Sequence, residues 1–145
     1  MILLSWMACA VQYPGRKFQC APFLQGVEGN GKTFFSRCLS EILGKRYSHW
    51  PDASKLGEKF NGWLYGRLLI CVEDINTDGD LDVLERIKPW ITGDYGVEIE
   101  GKGIDQVTAE ICCNFIFNSN HKAGIRKTRN DRRYFPFLTP QQEHT

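Results

Sequence analysis

The chain has 145 residues, which suits one domain with a real core and leaves little room for a second. Its 42% hydrophobic, 24% charged and 12% aromatic residues are ordinary for a soluble globular protein and exclude fibrous, low-complexity and disordered classes. The net charge of +1 selects no partner by itself.

Charge is nevertheless unevenly spread. Eleven acidic residues lie between Val72 and Glu110 against Arg86, Lys88 and Lys102, whereas His121 to Arg133 holds six Lys and Arg against Asp131 alone. The six cysteines, Cys9, Cys20, Cys38, Cys71, Cys112 and Cys113, form no CxxC and have no histidine at ligand spacing. Buried free thiols in a reducing compartment are expected.

Met1 to Val11 is apolar, but it has no basic leader or small-residue cleavage site and is too short to span a bilayer. It reads as a short amphipathic helix ending at Tyr13-Pro14-Gly15. Ala21 to Gln25 reads as a buried strand bounded by Gly26. Lys32 to Leu43 has helical spacing at Phe34, Phe35, Cys38, Leu39, Ile42 and Leu43, with Gly44 as its stop. Tyr47 to Trp63 is mixed, and a helix is expected near Ser54 to Trp63. Leu68 to Val72 (LLICV) is a buried parallel strand that meets Glu73 and Asp74 abruptly. Leu81 to Ile91 reads as a helix, broken by Pro89 near its end and closed by Gly93. Val97–Glu100 and Asp105–Ala109 flank Gly101-Lys102-Gly103, a hairpin signal with a lysine at the tip. Cys113 to Asn118 and Tyr134 to Leu138 complete the strands. Strands alternating with helices predict a three-layer α/β fold with a largely parallel sheet and ligands at the strands' carboxyl ends.

Between the first strand and the second helix lies GVEGNGKT, which satisfies GxxxxGK[ST] with Gly26, Gly31, Lys32 and Thr33. A triphosphate needs several donors aimed at one small volume. The backbone amides of Glu28, Gly29, Asn30, Gly31, Lys32 and Thr33 supply them at a helix start, and glycine permits close approach. Lys32 is then placed for the β and γ phosphates, and Thr33 for magnesium. Hydrolysis also needs a metal anchor and a group that orients water, so Glu73 and Asp74 after LLICV are the candidates, with Thr33, for Mg2+ and catalysis. Asn118-Ser119-Asn120 ends a third strand and offers a polar sensor for the attacking water. Arg132 and Arg133 precede the last strand, as solvated charges or as an arginine that neutralises transition-state charge in a neighbouring copy. Lys102, taken by itself, reads as an edge-protecting charge on the hairpin.

Taken in order, GVEGNGKT, LLICVED, ITGD followed by VEIEGKG, FIFNSNH and DRRYF resemble the motif series of superfamily 3 helicases. The likeness is to the helicase domain at the C-terminal end of phage and plasmid primase-polymerases and poxvirus-type primase-helicases, and it runs from about Trp6 to Leu138. The resemblance implies an AAA+-like P-loop nucleoside triphosphatase with a β-hairpin insertion. It further implies ATP and Mg2+ as cofactors, hydrolysis coupled to translocation on single-stranded DNA, and a hexameric ring of identical chains. By the same likeness, Lys102 is the DNA-contacting lysine facing the ring's channel and Asn120 is the sensor, ahead of Asn118. Arg133 is the arginine finger, ahead of Arg132. The pair reads Glu-Asp where Asp-Glu or Asp-Asp is more usual, which leaves open which of Glu73 and Asp74 holds magnesium.

The chain is therefore expected to be a single P-loop helicase domain over 1–145, a fragment or stand-alone core of a larger phage or prophage replication protein. It is expected to act in the bacterial cytoplasm beside a primase or polymerase, with no membrane partner. The competing readings are an ATP-binding remnant or regulatory module without unwinding, and a small P-loop kinase, for which no acceptor-binding lid is evident.

Overall fold

A computed structural model describes residues 2–75, 81–93, 96–121 and 130–140. In chain order the elements are α1 (Ile2–Gln12), β1 (Ala21–Gln25), α2 (Lys32–Leu43), β2 (Ser48–His49), β3 (Leu69–Val72), α3 (Leu81–Arg86) and α4 (Lys88–Thr92). Then come β4 (Val97–Gly101), β5 (Ile104–Ala109), β6 (Asn114–Ser119) and β7 (Tyr134–Leu138).

Five strands form one sheet in the order β2-β3-β6-β1-β7, and every pairing in it is parallel. Side chains on a strand alternate between faces, so each strand feeds two cores. Leu24, Leu69, Cys71 and Ile116 point to the layer of α1 and α2, where Trp6, Ala10 and Leu39 cover them. Phe23, Ile70, Val72, Phe115, Phe117 and Tyr134 point the other way, against Leu84, Ile87, Trp90 and Ile91 of α3 and α4 and Val97 and Ile99 of β4. Because both faces are covered, these strands are near-continuous apolar runs. On the second face Phe23 stacks on Phe117 at 6.0 Å, and Phe117 meets Tyr134 edge-on at 5.8 Å.

The three-layer α/β expectation holds, and the hairpin is present as a separate antiparallel pair, β4 with β5. Two expectations change, and one element is new. No α-helix forms over Ser54–Trp63, where there are two short 3-10 turns, Ala53–Lys55 and Gly62–Leu64. Asp52 does cap the first turn by accepting from the Ser54 N–H at 3.0 Å. Leu56, extended at ψ 128°, ends it, and Gly57 at φ +76° then turns the backbone left-handed. The expected helix over Leu81–Ile91 is two helices meeting at Ile87, because Pro89 has no N–H to continue the ladder and instead occupies the first turn of α4. The edge strand β2 was not anticipated, since two residues carry no periodic signal.

All six cysteines are free, as expected, although only Cys71 and Cys113 are buried. Burial pushes the Cys113 thiol up to about 12, which makes it inert at neutral pH. No helix among the described residues is long and apolar enough to cross a membrane.

The entry to β7 is held by a carboxylate. Asp131 pairs with Lys88 at 2.6 Å and accepts the Arg133 N–H at 2.9 Å. Burial works to raise the Asp131 carboxyl, but these bonds outweigh it and hold it below the ordinary 3.8. With a folded value below the unfolded one, its stabilisation is complete above pH 3.8 and is lost as pH falls through the folded value. Asp131→Asn is thus expected to cost about 1 kcal/mol at neutral pH, allowing for solvent screening, and to lower the melting temperature by about 3 °C. The gap to wild type should close as pH falls below 3.8. A gap that persists in acid would show that packing, not charge, accounts for it.

Candidate nucleotide site

The glycine-rich loop of the GxxxxGK[ST] motif joins the carboxyl end of β1 to the first turn of α2. It is built around close backbone approach. A Cβ at Gly26 would overlap the side chains of Asn30 and Thr139 and force both to shift, so the loop is packed around a glycine there. Gly31, at φ +87°, turns the chain into α2. Asn30 donates to the Thr139 hydroxyl, and the Thr139 N–H donates to the Gln25 carbonyl at 2.9 Å. The loop is therefore tied to the end of β7 as well as to its own strand.

Lys32 is buried, with 8% of its surface exposed. Its ammonium donates to the carbonyls of Gly26 at 2.9 Å and Val27 at 2.7 Å and to Asn30 Oδ1 at 3.0 Å. Desolvation lowers its pKa, while Glu73, Asp74 and Glu28 pull it back up. Thr33, on the next position of α2, donates its hydroxyl to Glu73 Oε2 at 2.9 Å. The other oxygen, Oε1, accepts from Asn118 Nδ2 at 2.6 Å.

Asp74 is held differently. Its backbone is left-handed at φ +51°, unusual for a residue with a Cβ, and such strain clusters at functional sites. Its side chain is 69% exposed and turns to Asn120, whose Nδ2 lies 3.4 Å from Oδ1, and to His121 at 3.8 Å. The two adjacent carboxylates thus face different partners.

Glu28 to Thr33, Glu73, Asp74 and Asn120 line one cleft of about 550 Å³ at the carboxyl ends of β1, β3 and β6. Gly26, the first residue of the motif, does not line the cleft. The cleft is also lined by Phe34, Arg37, Asn118 and Ser119. Arg37, one helical turn after Thr33, was missed although its i+4 spacing from Thr33 was visible. Thr139 carried no signal, because its contact to Asn30 spans 109 positions.

Lys102, Arg132 and Arg133 do not join the cleft. Lys102 is exposed at the hairpin tip. Buried Asn61 clamps the first hairpin strand just short of the tip by donating to the Glu98 carbonyl at 2.9 Å and accepting the Glu100 N–H at 2.9 Å. Arg133 sits at the amino end of the sheet, where its carbonyl accepts the Ala21 N–H at 2.7 Å. One five-residue strand, about 16 Å long, separates that end from the glycine-rich loop. Arg132 is exposed, and Arg133 is partly covered, with Nη1 3.5 Å from Asp131 and a buried Nε that has no partner among the described residues. Asp94 of ITGD and the basic tract from Lys122 to Arg129 lie outside the described residues.

Residues 24–133 match DUF5906, a family of unknown function, which is more than half of the chain. The chain belongs to this family. It is 29% identical over 136 residues to the DNA primase-polymerase of Nitratiruptor phage NrS-1, an alignment covering 92% of this chain and 19% of that protein. The apo C-terminal region of NrS-1 superposes with a TM-score of 0.80 at 27% identity, over 94% of this chain and 33% of that one. The chain thus spans about a fifth of the curated relative and a third of the solved region. JCV helicase (TM-score 0.61, covering 94% of this chain and 40% of that one) and Brucella abortus NtrX in complex with ATP (0.54, covering 97% and 36%) are each 12% identical and share the fold. The likeness to phage primase-polymerases read from the motif series holds in both sequence and fold.

The chemistry of the cleft fits a nucleoside triphosphate with magnesium. Thr33 and Glu73 bring two hard oxygen donors together at the start of α2. No cluster of three His, Cys, Asp or Glu able to hold a metal occurs among the described residues. Magnesium suits such a site, since it usually takes one or two carboxylates and completes its shell with phosphates and water.

Proposed function

We propose that the chain is the ATP-dependent helicase module, superfamily 3-like, of a phage or prophage replication protein. It hydrolyses ATP to translocate on single-stranded DNA as one domain of a larger polypeptide in the host cytoplasm. The observation that carries this reading is the convergence of Lys32, Thr33 and Glu73 in one cleft, with the arginine pair at the far end of the same sheet.

In this reading Lys32 transfers donors from the Gly26 and Val27 carbonyls to the β and γ phosphates. The Thr33 contact supports giving Glu73 the metal side. The Asn120 contact supports giving Asp74 and Asn120 the side of the attacking water. Thr33 and Glu73 would hold magnesium, which when bound would supply charge neutralisation to the phosphates. Arg133, too far from its own loop, serves the cleft of a neighbouring copy in a ring. The hairpin presents Lys102 to the DNA backbone, a contact that carries affinity without sequence preference.

The purified chain should hydrolyse ATP with Mg2+, faster with single-stranded DNA. Absence of hydrolysis at high protein concentration with DNA present would overturn the proposal. Lys102→Ala is expected to leave basal hydrolysis intact and to weaken DNA binding, flattening the log–log salt dependence by roughly 0.7 per lost phosphate contact. Identical salt curves for the two proteins would remove Lys102 from the DNA surface.

A further inference from the structure

Three buried asparagines serve the sheet and its hairpin, and one differs from the other two. Asn61 bonds the backbone at both ends of its amide, through the Glu98 carbonyl and the Glu100 N–H. Asn114 does the same, accepting from the Phe18 N–H at 3.1 Å and donating to the Arg16 carbonyl at 2.8 Å. These two fasten chain to chain. Asn118, 1% exposed near the end of β6, bonds only side chains: Nδ2 donates to Glu73 Oε1 at 2.6 Å and to Ser36 Oγ at 3.1 Å. We propose that Asn118 is a positioning residue that fixes the Glu73 carboxylate toward Thr33, so that the two form a ready anchor for a metal-bound nucleotide.

The proposal rests on the nucleotide reading above. Its physical basis is that a glutamate side chain has three free torsions, and holding it in one arrangement has an entropic cost that the site must meet. Here each oxygen is held by a different element, Oε2 by Thr33 of α2 and Oε1 by Asn118 of β6. Were the Thr33 hydroxyl to turn to a metal, the Asn118 bond would be the one left, among the described residues, to keep the carboxylate in place. The amide can present only its NH2 group to a carboxylate, since its carbonyl would meet like charge. Ser36, fully buried on α2, sets that orientation by accepting the second hydrogen bond. The same amide links α2 to β3 through β6, so loop, metal side and sensor strand share one fixed point.

The test is the affinity of a fluorescent ATP analogue for the full chain, in EDTA and in Mg2+. Asn118→Leu keeps the side chain's approximate volume and removes the donor. Its metal-free affinity should stay within about twofold of wild type, and it should lose about tenfold of the tightening that Mg2+ gives, the scale of a lost partner behind a metal ligand. Equal loss in EDTA and in Mg2+ would mean a structural role, and a retained Mg2+ effect would mean no role; either result overturns the proposal. Should the leucine variant fail to fold, Ser36→Ala removes the amide's second partner, together with the Ser36 contact to the buried Cys71 thiol, and is expected to lose about threefold of the Mg2+ effect with little change in EDTA; no loss in Mg2+ overturns it equally. If the unaltered chain binds the analogue with no Mg2+ effect, or not at all, the nucleotide reading itself falls, a result distinct from either variant's.

Discussion

Lys32→Ala is expected to abolish ATP hydrolysis, lowering turnover by at least about 10²–10³-fold, the scale of one lost charge-stabilising donor in a water-excluded site. Lys32 is the only basic side chain from the loop that reaches the cleft, and its ammonium is already desolvated there. The substitution also strips the Gly26 and Val27 carbonyls of their shared donor, so a modest drop in melting temperature should accompany the loss. The fold itself should survive, because neither core contains a residue of the loop. Phosphate release measured against wild type at saturating ATP is the check, and a variant retaining a tenth of wild-type turnover would sink the role given to Lys32.

The second large effect concerns residues that touch nothing in their own cleft. Arg133→Ala is expected to reduce hydrolysis by about 10³–10⁵-fold, the range seen for arginines that neutralise transition-state charge. The reason is geometric: Arg133 lies at the opposite end of the sheet from the loop, and its buried Nε has no partner among the described residues. Mixing the Arg133→Ala and Lys32→Ala chains should restore part of the activity, because one copy then offers a whole loop and the other a whole arginine. Arg132→Ala, tested alongside, decides which of the two arginines serves. If mixing restores nothing, or both arginine variants hydrolyse ATP normally, the arginines have no role in a neighbour's site.

How much of this was legible in the sequence depended on the range of the signal. β1, α2 and β7 fall on their expected residues because each is bounded by local punctuation: Gly26 after β1, Gly44 after α2, and the Arg132-Arg133 step before β7. Lys32, Thr33, Glu73, Asp74 and Asn120 were legible as residue types at the ends of apolar runs, and the fold brings them to one cleft. What the chain concealed was pairing. Nothing local says that β7 lies beside β1, so neither the distance of Arg133 from the loop nor the grip of Thr139 on Asn30 could be read in advance. Asn118 and Asn120 look alike in FIFNSN, and they separate only once β6 is placed beside β3. Asn118 points inward to Glu73, while Asn120 lies past the strand end, beside Asp74.

The β1–β7 pairing carries one further consequence. All five residues of each strand are in register, from Ala21 with Tyr134 to Gln25 with Leu138, and the ribbon is capped by the loop at one end and the arginines at the other. A copy that gives its loop to one site and Arg133 to the next therefore holds the two on a ruler of fixed length. If Arg133 serves a neighbour as proposed, that ruler sets the spacing between successive sites, and a shift of the loop carries the arginine with it.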